Sequence, residues 1–173
     1  SEGTNFTGSL IVGHSTTGTI SSATYNTAFG IGAMDALTSG DYNTVIGYNA
    51  GTSINSGQYN ILLGANAGDA LTSGTRNVAV GHNALSTEDG HGRNVAVGHN
   101  ALFTLDAGAD AYNVAIGYDA GTLITTGSRN TLIGSLTGDA LTTGYYNTAL
   151  GYQALSSSQT GRNAVAIGYQ ALM

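Results

Sequence analysis

A short unit recurs about every 17 residues along this chain of 173 residues, and this period constrains the fold more than any other feature. Residues 93–99 read RNVAVGH, residues 42–48 read YNTVIGY, and residues 112–118 read YNVAIGY. Each unit holds one anchor glycine, and successive anchors are 17 residues apart except for one spacing of 19. The anchors are Gly13, Gly30, Gly47, Gly64, Gly81, Gly98, Gly117, Gly134, Gly151 and Gly168. A fixed period of this size indicates a repeat architecture.

The residue types within each unit favour β-structure. Val, Ile, Leu and Thr cluster in short runs between Gly, Asn and Asp residues, which are typical of turns. Gly or Asn recurs every few residues, and both are unfavourable in a helix interior. A period of 17 is too short for the common helical repeats but suits one coil of a β-solenoid. We therefore predict an all-β fold, a parallel β-solenoid of about ten 17-residue coils.

The repeat sets the domain boundaries. Residues 1–8 do not match it and are predicted to form an N-terminal extension, whereas residues 9–173 form the β-solenoid repeat domain. A two-residue insertion falls near 104–111, and the most polar loop is 86–92. Such loops often carry recognition, but tolerated variation is the simpler interpretation. The last coil stops partway through a repeat, so we expect a piece of a longer protein and an end on which copies can stack end to end.

Equivalent residues of stacked coils form columns along the axis. The column before the anchor glycine has no polar member, and we predict that it points inward. It contains Val12, Phe29, Ile46, Leu63, Val80, Val97, Ile116, Ile133, Leu150 and Ile167. A second inward column contains Ile20, Leu37, Ile54, Leu71, Leu105, Ile124 and Leu141. Glu88 and Ser158 break the second column, and in those coils Leu85 and Leu155 stand where four other coils have Gly, which indicates compensating packing.

Two further columns carry polar side chains and are the candidate sites. We predict that stacked asparagine amides form a structural hydrogen-bonded ladder. They are Asn26, Asn43, Asn60, Asn77, Asn94, Asn113, Asn130 and Asn147. The residue before each Asn has a flat side chain that can stack on its neighbours. These residues are Tyr25, Tyr42, Tyr59, Arg76, Arg93, Tyr112, Arg129 and Tyr146, with Arg162 in register if the last coil has a one-residue bulge.

The thin core predicts an oligomer. Each coil offers about two large aliphatic side chains, which stabilise by about 1.5–3 kcal/mol each when buried, whereas ordering the backbone costs about 1–2 kcal/mol per residue. The simplest solution is a homotrimer around a common axis. The Tyr/Arg column then lies at the seam between chains, or, on the open surface, contacts host glycans. We favour the seam because the chain has no Lys and its Arg residues concentrate in this column.

The repeat resembles known families. Residues 77–81 (NVAVG), 113–117 (NVAIG) and 164–168 (AVAIG) are similar to the head repeat of trimeric autotransporter adhesins. The longer coil at 117–134 resembles repeat regions of marine phage structural proteins and tail fibres. The resemblance covers about residues 9–173. It implies a trimeric left-handed parallel β-roll that contacts host surfaces, and it supplies no catalytic residue.

Composition and motifs argue against several other classes. A net charge of −6 and the absence of Lys disfavour nucleic acid, and no apolar run approaches the ~20 residues of a membrane span. We expect no enzyme activity, no catalytic residue, no cofactor and no dedicated metal site. The histidines are His14, His82, His91 and His99; three follow an anchor glycine, and His82 with His99 is at most an adventitious metal pair. The acids of the three Asp-Ala-Leu-Thr turns, Asp35, Asp69 and Asp139, are expected to cap those turns.

The first functional hypothesis is a structural, non-enzymatic fibre segment of a phage virion, either a tail fibre or a related appendage. It would be extracellular, with a shaft role or a role in contacting a host cell-surface receptor or glycan. The second hypothesis is the head of a bacterial trimeric surface adhesin with the same fold. The third is an ice-binding solenoid, because Thr recurs in columns, although Asp89 and Asp106 interrupt the relevant column.

Overall fold

The computed structural model describes residues 8–13 and 22–173, and within these residues the regular structure is ten short parallel strands. They are β1 (Leu10–Val12), β2 (Thr27–Phe29), β3 (Thr44–Ile46), β4 (Ile61–Leu63), β5 (Val78–Val80), β6 (Val95–Val97), β7 (Val114–Ile116), β8 (Thr131–Ile133), β9 (Thr148–Leu150) and β10 (Val165–Ile167). The strands form one sheet in the order β1 to β10. The prediction of an all-β parallel β-solenoid is confirmed, with about nine turns spaced roughly 17 residues apart.

The register of the sheet follows the sequence period. Thr44 pairs with Ile61, 17 residues later, and the same offset recurs between successive strands. The exception is between β6 and β7, where Val95 pairs with Val114. The two extra residues therefore leave the sheet undisturbed and are absorbed in the loop before β7.

The anchor glycines are required by a close approach of backbones. Gly47 has a φ of +145°, and a Cβ built there would lie 2.3 Å from the carbonyl oxygen of Gly64 in the next coil. Both the conformation and the spacing exclude a side chain at this position. Each coil can therefore stack directly on the next only because its anchor is glycine.

The middle residue of each strand points into the solenoid. These residues are small or aliphatic and, from β2 to β10, buried: Ala28, Val45, Leu62, Ala79, Ala96, Ala115, Leu132, Ala149 and Ala166. Successive side chains of a strand alternate between the two faces of the sheet. The first and third residues of each strand must therefore point away from the core.

The prediction that the column before the anchor glycine points inward is wrong. Phe29 is 60% exposed and Ile46 is 43% exposed, and the other members of the column are likewise exposed or only partly buried. The column is Val12, Phe29, Ile46, Leu63, Val80, Val97, Ile116, Ile133, Leu150 and Ile167. A column of apolar residues can be covered by its own chain or by another chain, and the sequence does not distinguish the two. In the single chain this column is not covered.

The second predicted core column is inward as expected. Its described members are fully or almost fully buried: Leu37, Ile54, Leu71, Leu105, Ile124 and Leu141. Ile20 lies outside the described residues. Glu88 is fully buried in the same column, Ser158 is half-buried, and Leu85 and Leu155 are buried beside them.

Side-chain sizes inside the solenoid are complementary. A Cβ built on Gly68 would lie 2.9 Å from Cδ2 of Leu62, the inward residue of the strand in the same coil. Where the position of Gly68 is taken by Leu85, the inward strand residue is Ala79 instead of leucine. A large side chain at one position therefore accompanies a small one at the other, as a close-packed interior requires.

Two neighbouring residues of one coil test the location of the core. Ile124 is fully buried, whereas Leu123 is 49% exposed. We expect Ile124→Ala to lower the free energy of unfolding by about 2–5 kcal/mol and Leu123→Ala to change it by less than about 0.5 kcal/mol. Urea denaturation at equal protein concentration measures both variants. Equal effects of the two substitutions would contradict the assignment of the inward column.

Candidate functional site

The asparagine column forms a buried hydrogen-bonded ladder. Nδ2 of Asn60 donates to Oδ1 of Asn43 at 3.0 Å and to the carbonyl of Gly74 at 2.8 Å. The N–H of Asn60 also donates to Oδ1 of Asn43 at 3.0 Å. The backbone contact to the preceding amide recurs in every coil from Asn43 to Asn147. All eight side chains are buried, so these amides satisfy one another and the backbone inside the solenoid.

The Tyr/Arg column, called the Tyr/Arg ladder below, stacks along the outside of the solenoid. The rings of Tyr25 and Tyr42 are 4.9 Å apart, and those of Tyr42 and Tyr59 are 5.0 Å apart with an angle of 4° between their planes. The Arg76 guanidinium lies 5.4 Å from the Tyr59 ring, and Arg129 lies 5.6 Å from Tyr112. All eight side chains are exposed. Such contacts are worth about 0.5–1 kcal/mol each at exposed positions.

The ladder is built on a backbone conformation that disfavours its own residue types. Every rung from Tyr25 to Tyr146 has a positive φ, between 56° and 64°. A non-glycine residue in this region carries a penalty of about 1–2 kcal/mol. Gly8 takes the same position with φ +66°, so the fold itself accepts glycine there. Tyr and Arg at the other rungs therefore indicate that the side chains have a role beyond closing the turn.

The stacking exposes ring edges rather than ring faces. Tyr42 has a neighbouring ring on each side, so neither face is open to a ligand, and its hydroxyl end points toward solvent. Desolvation, followed by the neighbouring phenols Tyr25 and Tyr59, raises the pKa of Tyr42. The ladder therefore offers hydroxyl groups and guanidinium N–H groups to a partner, and a sugar ring has no open face to stack on at Tyr42, Tyr59 or Tyr112.

The predicted bulge that would bring Arg162 into the ladder is absent. Asn163 takes the ladder position with φ +54°, and the N–H of Ala164 continues the amide column by donating to Oδ1 of Asn147 at 3.0 Å. Arg162 pairs instead with Tyr145, whose hydroxyl accepts from its guanidinium at 3.1 Å. Because a regular 17-residue coil keeps the backbone contacts between coils, the register is retained. The ladder position of the last coil is therefore occupied by Asn163 and not by Arg162.

An apolar sheet surface lies between the Tyr/Arg ladder and a second column. This outer strand face consists of the first and third residues of β1 to β10 and holds aliphatic or aromatic residues and Thr, without a charged residue. Beyond it is the post-glycine column, formed by the residue after each anchor. Its described members are Ile31, Tyr48, Ala65, His82, His99, Tyr118, Ser135, Tyr152 and Tyr169. The rings of His82 and His99, and those of His99 and Tyr118, stack at 5.2 Å.

The two irregular loops meet at a buried carboxylate that sequence reasoning treated only as a break in a column. Oε1 of Glu88 accepts from the N–H of His91 at 3.0 Å and lies 3.1 Å from Nδ1 of the same residue. Oε2 accepts from the N–H of Ala107 at 3.2 Å. Asp110 of the longer loop forms an ion pair with Arg93. Glu88 therefore joins loop 86–92 to loop 104–111 from inside the solenoid.

Metal binding at this junction would compete with existing bonds. Ligand atoms of Glu88, Asp89 and His91 lie within 4.8 Å of one another. However, both oxygens of the Glu88 carboxylate already accept hydrogen bonds from the chain. The simpler interpretation is a structural junction, in which the Glu88 carboxylate holds the two loops together.

The aspartates of the Asp-Ala-Leu-Thr turns are partly buried. Desolvation raises the pKa of Asp69 and of Asp139, and hydrogen bonds to each residue's own backbone and to that of the following alanine offset part of this shift. Oδ1 of each is buried and has no hydrogen-bond partner within the described part of the chain. Asp35 occupies the same position in an earlier coil.

Comparison with family models, with curated proteins and with solved structures gives no match to this chain. Within residues 8–13 and 22–173, no helix is long and apolar enough to cross a membrane.

The amide ladder can be tested by comparing Asn60, which is buried in the ladder, with Asn55, which is exposed and lies five residues earlier. Asn60→Ala removes the acceptor of the Asn77 N–H and the donor to the Gly74 carbonyl, while Asn55 has an exposed side chain. A buried polar group left without a partner costs about 1–3 kcal/mol, so we expect Asn60→Ala to destabilise by about 2–4 kcal/mol in total and Asn55→Ala by less than about 0.5 kcal/mol. Thermal unfolding compares them, and similar melting temperatures would argue against the ladder.

The buried aspartates predict a pH dependence of stability. Burial raises the pKa of Asp69 and Asp139 in the folded protein. Their contribution to the free energy of unfolding is therefore greatest below the pKa of the unfolded chain, about 3.9, and is lost as the pH rises through the pKa of the folded protein. The double variant Asp69→Asn/Asp139→Asn should therefore lose less stability than the parent protein as the pH rises above about 4. The control is Asp106→Asn, on the exposed loop. Parallel curves of melting temperature against pH for all three proteins would contradict the proposed penalty.

Proposed function

We propose that this chain is a structural, non-enzymatic segment of a trimeric fibre, an extracellular appendage of a phage virion with a shaft or host-contact role. The observation that carries the proposal is the outer strand face, which runs along all ten strands and is open to solvent in the single chain. Soluble monomers rarely expose a continuous apolar surface of this kind. A building block whose surface is covered by further chains explains it.

The partner that best fits the outer strand face is another copy of the same chain. The face is periodic, since each coil contributes two outward side chains at the spacing between strands, about 4.8 Å. A second copy running in the same direction has the same period and can interdigitate with every coil along the whole length. A partner without this period would match the face over only a few coils.

The width of the face suits three chains. Three sheets that each lie ~5 Å from a shared axis, half the usual distance between packed sheets, form a triangle with sides of ~17 Å. The span from the Tyr/Arg ladder to the post-glycine column is six residues, or ~20 Å at the rise of a strand. Four chains at the same distance would leave sides of only ~10 Å. In an assembly of three copies, the outer strand faces therefore pack around the axis. The Tyr/Arg ladder and the post-glycine column lie at the corners of the triangle.

The position of the Tyr/Arg ladder agrees with a seam between chains. The ladder borders the outer strand face, where the edges of neighbouring chains would meet, and Arg is favoured over Lys in such contacts because of its planar, less hydrated head. Contact with a host glycan is the alternative role of the ladder. It would depend on hydrogen bonds from the exposed hydroxyl and guanidinium groups, because the ring faces are covered by neighbouring rungs.

The observations give little support to ice binding. A flat ice-binding face needs free hydroxyl groups, but the hydroxyls of Thr72, Thr125 and Thr142 donate to carbonyls of the next coil. The threonines of the outer strand face lie between apolar residues. A bacterial surface adhesin head, in contrast, would use the same trimeric solenoid and remains the second candidate function.

The trimer predicts a specific response to a charge on the outer strand face. We expect the parent protein to have the mass of three chains by light scattering and Ile116→Asp to have the mass of one, because assembly would bury three carboxylates near the axis. The variant should also unfold at a lower temperature than the parent, since the single chain buries only a narrow core and loses the contacts of its outer strand face. Ser56→Asp adds the same charge at an exposed position away from the face and should remain trimeric. A folded parent monomer would contradict the proposal.

Immunolabelling distinguishes the two fibre hypotheses. Antibodies raised against the purified chain should label the appendages of purified phage particles in electron micrographs. Label confined to the surface of bacterial cells would favour the adhesin and overturn the virion assignment. Thermal hysteresis of the purified protein, measured in the same preparation, would instead support ice binding.

A further inference from the structure

The Tyr/Arg ladder and the post-glycine column vary together, although they lie apart in a single chain. The two members of one coil are six residues apart on either side of a strand, about 20 Å at the rise of an extended chain. Their side chains belong to separate stacks, each of which contacts its own neighbours along the axis. A relation between the two columns within a coil therefore has no explanation in contacts inside the chain.

Coils with Arg in the ladder carry His or Ser in the post-glycine column. The pairs are Arg76 with His82, Arg93 with His99, and Arg129 with Ser135. These partners are small or planar and have an oxygen or ring nitrogen that can accept a hydrogen bond. A guanidinium group has only donors, so each pair is chemically complementary.

Coils with Tyr in the ladder carry an aromatic or apolar residue in the post-glycine column. Tyr42, Tyr112 and Tyr146 go with Tyr48, Tyr118 and Tyr152. The other two, Tyr25 and Tyr59, go with Ile31 and Ala65. No ladder coil combines Arg with a post-glycine Tyr, and the last coil, with Asn163 and Tyr169, has neither Tyr nor Arg at the ladder position.

We infer that the Tyr/Arg ladder of one chain packs against the post-glycine column of the next chain, coil by coil at the same height. In an assembly of parallel copies around an axis, rotation brings the left edge of each face to the right edge of its neighbour, so these unlike columns meet. An antiparallel pair would instead bring like columns together. The residue types of the two columns then match because the columns contact each other across a heterologous interface, in which unlike surfaces of neighbouring chains meet.

This pairing rests on the proposed trimer and makes its interface specific. At the Arg coils the guanidinium donates across the seam to an imidazole nitrogen or a serine hydroxyl. At the Tyr coils aromatic and apolar side chains exclude water. Because Arg and Tyr rungs follow an irregular order along the chain, a shift of one coil in either direction would leave one Arg opposite a His and place the other two opposite Tyr or Ala. The order of rungs thus fixes the register of the three chains.

Cross-linking tests the pairing directly, since the chain contains no cysteine. The variant Tyr42→Cys/Tyr48→Cys places one thiol in each column of a single coil. A short bismaleimide should link unlike columns of adjacent chains and close a covalent trimer, visible on a denaturing gel. The single variants Tyr42→Cys and Tyr48→Cys are the matched controls and should stay as monomers on that gel. The pair Tyr42→Cys/Tyr118→Cys, displaced by four coils or about 19 Å, should also give no trimer.

The possible results distinguish a failure of the proposed pairing between columns from a failure of the proposed trimer. If light scattering gives a trimer but the mixed variant does not cross-link, the pairing is wrong, and duplication of whole coils explains the matched columns. Covalent dimers from either single variant would also overturn it, because like columns would then be in contact. If the parent protein is a monomer, the proposed trimer fails and the pairing falls with it. Tyr146→Cys/Tyr152→Cys repeats the test at the other end of the solenoid.

Discussion

The hydrogen bonds between buried asparagines of neighbouring coils are the interaction on which the rest of the structure depends. Asn60 is bonded to Asn43 on one side, and its own Oδ1 accepts the N–H of Asn77 on the other. Each bond requires the coils to be in register, and each amide left unpaired would cost about 1–3 kcal/mol. The chain can therefore change loops and surface residues but not the position of the amide within the coil. The 19-residue coil keeps this position, because the backbone N–H of Asn113 still donates to Oδ1 of Asn94 across the insertion.

Strict stacking leaves each chain with a narrow interior and a wide apolar exterior. The inward strand position is often alanine, and the larger side chains inside fit beside glycine or alanine of the same coil. The same sheet presents its aliphatic residues outward, where the single chain has nothing to cover them. Stability and assembly are thereby linked, since the apolar area that a thin coil cannot bury internally remains for contact between chains. The Tyr/Arg ladder, kept in an unfavourable backbone conformation, belongs to this outer surface.

The period of the sequence predicts the parallel solenoid, the strand positions and the second core column. It does not reveal which side of the strand faces the core, because Ala79 inside and Val80 outside are both apolar. A column without polar residues indicates burial by this chain or by another, and the residues alone do not distinguish them. The bulge that would align Arg162 with the ladder is absent, since Ala164 keeps its backbone bond to Asn147 and Asn163 takes the ladder position. The role of Glu88 depends on contacts between loops that the sequence does not specify.

An electron cryomicroscopy structure of the purified protein most directly tests the claim that the chains assemble through the outer strand face. We expect three parallel chains around one axis, with Ile46, Val80 and Ile116 of each chain facing that axis and no solvent between the sheets. A monomer with these residues in water would contradict it. So would an assembly in which the chains meet through any surface other than the outer strand face.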